Sequence, residues 1–228
     1  MLVSRSEAPL NDVRAQITER GGHASVCAVD VGDAAAWAAA IDKIAETHGR
    51  LDILVNNAGI TRDNLVLRMS DAEWAEVLSV NLTSAFVAIR AAARAMMRGK
   101  FGRIVNITSA MVKSPQLPLG LSTAARTGLT AFSKALSRAV ARDNVTINNL
   151  LPERIETDRL RYMIEQQATR AGCSFEEARH DMLKPVAAGR FGRPEEFPAA
   201  CAFLCSMQAS YISGQNLQVD GGSYSGLM

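Results

Sequence analysis

Three side chains near the middle of the chain, two hydroxyls and a guanidinium, are of types that could hydrogen-bond a substrate. Ser109 closes the run Ile107-Thr108-Ser109, and Ser122 opens Ser122-Thr123-Ala124-Ala125-Arg126. A serine hydroxyl can orient a carbonyl oxygen by hydrogen bonding. It is a far weaker acid than a phenol, whose pKa near ~10 can be tuned towards neutrality. A guanidinium, with a pKa above ~12, adds a positive charge but cannot give up a proton in a relay. Each residue also has a plainer reading. Ser109 can be a strand-end serine bonded to local backbone, Ser122 the N-terminal cap of the helix that follows, and Arg126 a solvated charge.

The elements that must position these groups alternate between β-rich and helical runs. Residues 11–19 read as a helix ended by Gly21-Gly22, residues 24–29 as a strand, and Asp33 opens a helix to about residue 46. Residues 51–55 form a buried strand leading into Asn56-Asn57-Ala58-Gly59. Ser70-Asp71-Ala72-Glu73 has the pattern of a capping box, starting a long helix that carries Asn81 and runs to about Arg98. Strands follow at 102–107, 145–151 and 216–219, with helices at 123–142 and from Pro194 to about 206, and a helical insertion at 159–184. Buried strands alternating with helices predict a parallel sheet covered on both faces, a doubly wound α/β fold in one domain.

Composition narrows the function classes. The 228 residues are 48% hydrophobic and 21% charged, ordinary for a soluble globular chain. A net charge of +2 gives no electrostatic case for nucleic acid or an anionic membrane. No apolar run approaches the ~20 residues of a membrane span, and Met1-Leu2-Val3-Ser4-Arg5 lacks the apolar stretch of a signal peptide. Cys27, Cys173, Cys201 and Cys205 form no Cys-x-x-Cys pair and read as buried free thiols. His23, His48 and His180 are scattered, so no metal set is evident. A cytoplasmic location is the expectation.

Several segments in order resemble the short-chain dehydrogenase/reductase family, in its β-ketoacyl-ACP reductase-like branch. They are residues 56–64, 101–109, 188–192 and 219–222, and the likeness runs over essentially the whole chain. The resemblance implies a Rossmann-type doubly wound parallel sheet that is incomplete at the N-terminus. The family begins with a strand, a glycine-rich turn and a helix, whereas Leu2-Val3-Ser4-Arg5 resembles the end of its second strand. In the family order 3-2-1-4-5-6-7, loss of the first strand leaves a gap of about two strand spacings, ~9.6 Å. Either the gap closes in a shifted register, or the N-terminal part packs poorly, or the natural start lies upstream.

The resemblance also assigns roles. Ser109 matches the family serine, while Ser122 and Arg126 stand in the slots of the family tyrosine and lysine. Asn81 resembles the asparagine that props a relay water; the plainer reading is a polar residue at a helix kink. For a cofactor, Asp30 resembles the residue that contacts adenine and Asn57-Ala58-Gly59 the turn beside its ribose. Arg126 would anchor ribose hydroxyls or charge, and Pro152 and Thr157 would lie near the nicotinamide. Arg5 follows the second strand, where a basic residue suits a 2′-phosphate, which points to NADP(H), with NAD(H) as the alternative. Glu153 replaces the glycine usual after Pro152.

The implied activity is oxidoreduction of a carbonyl or hydroxyl in a small-molecule substrate such as a 3-oxoacyl group, by a homodimer or homotetramer, with residues 159–184 as a substrate lid. The proton donor is open. Tyr162 of the lid is a candidate replacement phenol, whereas Tyr211 and Tyr224 read as structural. Two other classes stay open: an inactive homologue serving as a partner subunit, and a cofactor-independent acid/base enzyme built on Glu153 and His180.

Overall fold

The computed structural model describes residues 1–62 and 66–227; Asp63 and Asn64 of the 56–64 motif lie outside the described residues. All six strands among those residues are parallel, but they form two sheets. Strands β1 (Leu2–Ser4) and β2 (Val26–Ala28) make the small one. Strands β3 (Ile53–Asn56), β4 (Gly102–Ile107), β5 (Val145–Pro152) and β6 (Asn216–Val219) make the large one, in the order β3-β4-β5-β6. The helices between them are α1 (Glu7–Glu19), α2 (Ala34–His48), α3 (Asp71–Leu78), α4 (Ser84–Gly99) and α5 (Gly120–Val140). The last three are α6 (Asp158–Ala171), α7 (Phe175–Leu183) and α8 (Glu196–Cys205).

Side chains alternate across a strand, and β4 shows what this does here. Ile104 points into the main core with Ile89 and Ala92 of α4 and Leu129 of α5, while Val105 packs on the other face against Leu204 of α8. Helices therefore cover both faces, and the doubly wound α/β expectation holds.

The expected gap is present and has not closed. Among the described residues β1 pairs only with β2, and β3 only with β4. A cleft of about 1350 Å³ lies between them, lined by Leu2–Ser4 on one side and by Ile53–Asn56 on the other. The N-terminal part nonetheless docks on the rest through α2, whose Trp37 and Ile41 join the main core.

Two element expectations gain detail and one is corrected. The long helix expected over 71–98 is present over Asp71–Gly99 and carries a π-helical turn, Ser79–Thr83. Tertiary bonds hold the turn: Ser79 Oγ donates to Gly32 O at 3.2 Å, and Asn81 turns its amide to the backbone of Ile60. The 159–184 insertion is two helices, parted by Gly172 in the left-handed conformation and restarted by a capping box at Ser174. By length and hydropathy the continuous stretch Asp71–Gly99 qualifies as a membrane span, against expectation. Its α4 part, however, buries Ala85, Ala88, Ile89 and Ala92 in the main core. The thiols of Cys27, Cys173, Cys201 and Cys205 are free but half-buried rather than buried.

Candidate active site

The chemistry-bearing residues meet where β3 and β4 end. Helix α5 starts at Gly120, two residues before Ser122, so Ser122 lies inside the first turn and is buried; Leu119 holds the cap position instead. The capping reading of Ser122 is thus corrected. Four residues on, the side chain of Arg126 folds back. Its Nε donates to Ser122 Oγ at 3.1 Å, and its Nη1 donates to the carbonyls of Ile107 and Thr108 at 3.0 and 2.8 Å. The solvated-charge reading of Arg126 is corrected too.

Burial lowers the Arg126 pKa, and no nearby acid among the described residues opposes that shift. A guanidinium keeps its proton even so. A largely desolvated cation without a counter-charge is costly unless a ligand or solvent faces it. Arg126 does line the cleft, where its Nη2 would lie 2.9 Å from a Cβ placed on Gly59. Glycine at 59 is what leaves the guanidinium this room.

Asn81 closes the other side. Its Oδ1 accepts from Ile60 N and its Nδ2 donates to Ile60 O, both at 2.8 Å. Both ends of the amide engage the backbone of Ile60, next to the Asn57-Ala58-Gly59 turn, and Asn81 sits in the π-helical turn, a device common at functional sites. The kink reading of Asn81 is met by the π-helical turn, and the residue lines the cleft.

Ser109 lies at the end of β4, half-buried, and its Oγ accepts from Met111 N at 3.2 Å. That local bond leaves the hydroxyl hydrogen available. Arg5, Asp30, Asn57, Ala58 and Gly59 line the cleft with Asn81 and Arg126. Asp30 Oδ1 accepts from Gly32 N at 2.8 Å. Pro152 and Thr157 lie elsewhere, at the end of β5 and at the cap position of α6, and neither they nor Ser109 and Ser122 line the cleft. Tyr162 is half-exposed on α6 beside Arg159.

Two residues escaped sequence reasoning. The hydroxyls of Thr108 and Thr123 are buried without a hydrogen-bond partner, each next in sequence to a site serine. Nothing in a Thr-Ser or Ser-Thr pair signals this, because it depends on how α5 lies on β4.

A family profile described as enoyl-(acyl carrier protein) reductase matches residues 1–224. The chain belongs to the short-chain dehydrogenase/reductase family. Within the family its relatives include the 3-oxoacyl-[acyl-carrier-protein] reductase FabG of Salmonella typhimurium, 42% identical over 86% of this chain and 76% of that protein. The protein of the same name from Vibrio cholerae is 38% identical over 90% of this chain and 79% of its own. Among solved structures, YwfH, described as an NADPH dependent reductase involved in bacilysin biosynthesis, superposes with a TM-score of 0.92. It is 29% identical, covering 99% of this chain and 88% of that one. These likenesses place the chain in the FabG-like branch.

Proposed function

We propose that this chain is a carbonyl reductase working with NADP(H) in preference to NAD(H), on a small-molecule acyl substrate of the 3-oxoacyl class. The relatives' names support the reaction type. The family profile's description is of an enoyl reductase, but the 3-oxoacyl reductases are the relatives whose identity reaches 42%, so the ketone is the better substrate reading. The observation that carries the proposal is Arg126, bonded to Ser122 and to the carbonyls at the end of β4 and lining the cleft.

A bound nicotinamide would supply the hydride. The chain's own part is to hold the carbonyl oxygen and deliver one proton to it. Because Ser122 Oγ accepts from Arg126 Nε, its own hydrogen is not used in that bond and can serve a further acceptor. The guanidinium beside it stabilises negative charge on either oxygen. Ser109 adds a second hydroxyl at the strand end. A serine is a poor acid even so, and turnover is expected to be slow.

The fit to a dinucleotide is good at the ends and poor in the middle. Asp30, Arg5 and the Asn57-Ala58-Gly59 turn suit the adenosine side, and Arg126 suits the nicotinamide ribose. Pyrophosphate favours a free helix N-terminus. Helix α1 instead opens on Glu7, and the first amides of α2 are taken by the Asp33 carboxylate. That observation favours a second reading, a non-catalytic family member acting as a partner subunit. The acid/base alternative has less support: Glu153 pairs with Arg154, and among the described residues no contact joins it to the exposed His180. A cytoplasmic homodimer or homotetramer accompanies the reductase reading.

Thermal unfolding with NADPH and with NADH tests it. A ligand at 100 times its dissociation constant stabilises by about 2.7 kcal/mol. The reductase reading expects a larger shift with NADPH, NADPH oxidation on a 3-oxoacyl thioester, and loss of that oxidation in Arg126→Met. No shift with either nucleotide and no turnover would leave the partner-subunit reading.

A further inference from the structure

Helix α8 carries two thiols one turn apart. Cys201 and Cys205 pack against the cluster of Val105, Leu150 and Leu204, yet each stays half-buried and free. Four residues apart on a helix, they share a face. Cys205 is the last residue of the helix, since Ser206 is already extended at φ −83°, ψ 169°. Only Ser206 ties that end down, through N and Oγ donated to Phe203 O at 3.0 and 2.6 Å.

A buried cation lies beside this end. Arg103 of β4 has no exposed surface, and its bonds go to neutral oxygens: Ser206 O at 3.1 Å, Gly102 O, and Asn144 O and Oδ1. Burial lowers the Arg103 pKa, and the charge of Cys205 acts the other way. A hydrogen bond from the Cys205 thiol holds the Cys201 thiol down to about 7, and the same bond pushes Cys205 up. Near neutral pH the pair is a thiolate in the making beside its proton donor. Accessible thiols of low pKa next to a second thiol are the ones that oxidants select.

The backbone spacing also suits a bond between them. Helix geometry sets the two Cα atoms ~6.2 Å apart, inside the disulfide range of about 4.4–6.8 Å. The Cβ atoms, ~5–6 Å apart, must close to about 4 Å. Closure therefore pulls on the last turn of α8, which has helix on one side only.

We propose that Cys201 and Cys205 are a peroxide-responsive thiol pair that closes an intrahelical disulfide. The Cys201 thiolate attacks hydrogen peroxide. An S–O bond forms, the O–O bond breaks, and hydroxide leaves and takes up a proton as water. Sulfur is oxidised to the sulfenic acid and peroxide is reduced. The thiolate that held the Cys205 proton is then gone, and Arg103 favours ionisation of Cys205. Cys205 attacks the sulfenic sulfur, the S–S bond forms, the S–O bond breaks, and a second water leaves with the Cys205 proton. Two thiols and one peroxide give one disulfide and two waters. The proposal goes beyond the reductase reading and does not rest on it.

The reduced whole chain, treated with peroxide at pH 7, quenched with catalase and alkylated with iodoacetamide, tests this by peptide mass spectrometry. Cys201 and Cys205 should escape alkylation together, with a loss of two hydrogens that dithiothreitol restores, while Cys27 and Cys173 still alkylate. Amides 202–206 should exchange faster in the oxidised chain. In Cys205→Ala oxidation should stop at Cys201, where dimedone traps the sulfenic acid. Without peroxide, Cys201 of that variant should alkylate about three-fold more slowly at pH 7. A thiol titrating at about 7 is half ionised there, against ~3% for an ordinary one, and its weaker nucleophilicity offsets part of that gain. Oxidation of Cys27 or Cys173 at the same rate, a disulfide between chains on a non-reducing gel, or an unchanged Cys201 alkylation rate in the variant would each overturn the proposal. The wild-type pattern needs no substitution, so it decides even where the variant does not fold.

Discussion

The four-stranded and two-stranded parts of the molecule are both built of parallel strands and reach different depths. In the larger part every residue from Gly102 to Asn106 and from Val145 to Leu151 is buried, and α4 and α5 press on one face while α8 covers the other. In the smaller part no strand residue is fully buried, and α1 buries Leu10 alone. The difference teaches that a parallel strand gains burial from neighbours on both edges and both faces. A pair of parallel strands has too few of either.

Native-state hydrogen exchange is the widest test of that contrast. Amides of β4 and β5 should exchange only through global unfolding, which for a domain costs about 5–15 kcal/mol. Those of β1 and β2 should exchange through local opening, several kcal/mol more easily. Equal protection would mean that the two parts unfold as one unit. Truncation in the core sharpens the point. Ile147→Ala is expected to cost about 2–5 kcal/mol in urea unfolding, and Leu10→Ala less than half as much. Similar losses would break the comparison.

Acid gives the smallest effect and belongs to the larger part. Arg190 hydrogen-bonds the Glu196 carboxylate and the amide of Arg193 adds another bond, holding its pKa down from 4.5 to about 2. A carboxylate depressed on folding stabilises above its unfolded pKa and loses that contribution as pH falls through the folded value. Stability should therefore decline between pH 4.5 and 2 through this group, and Glu196→Gln should flatten that part of the profile. An unchanged profile would show that solvent screens the exposed cluster completely.

What could be read from the sequence was local. The capping box at Ser70 formed as its pattern required, with Glu73 N donating to Ser70 Oγ and Ser70 N to Glu73 Oε2. Strands β4 and β6 fell within their expected bounds because turn residues bracket them. The open gap between the sheets was also legible, through the family resemblance. A kink at Asn81 was one of two readings, but the π-helical form of Ser79–Thr83 was not legible, since it goes with Asn81 reaching Ile60, 21 residues away. Nor was the burial of Arg126. A Ser-x-x-x-Arg spacing says only that two side chains share a helix face. Whether that face meets solvent or the carbonyls of Ile107 and Thr108 is decided by how α5 lies across the end of β4.

Trp37 carries a consequence for how the chain is made. Its indole donates to Ser84 O at 3.1 Å across 47 residues, and with Ile41 it packs on helix α4. During synthesis at roughly 5–20 residues per second, this anchor waits roughly 2–9 s after Trp37 emerges before its partner exists. Through those seconds Trp37 and Ile41 lack the α4 surface that covers them in the folded chain. The segment around Trp37 is therefore where a holding chaperone or a protease would meet apolar side chains still uncovered.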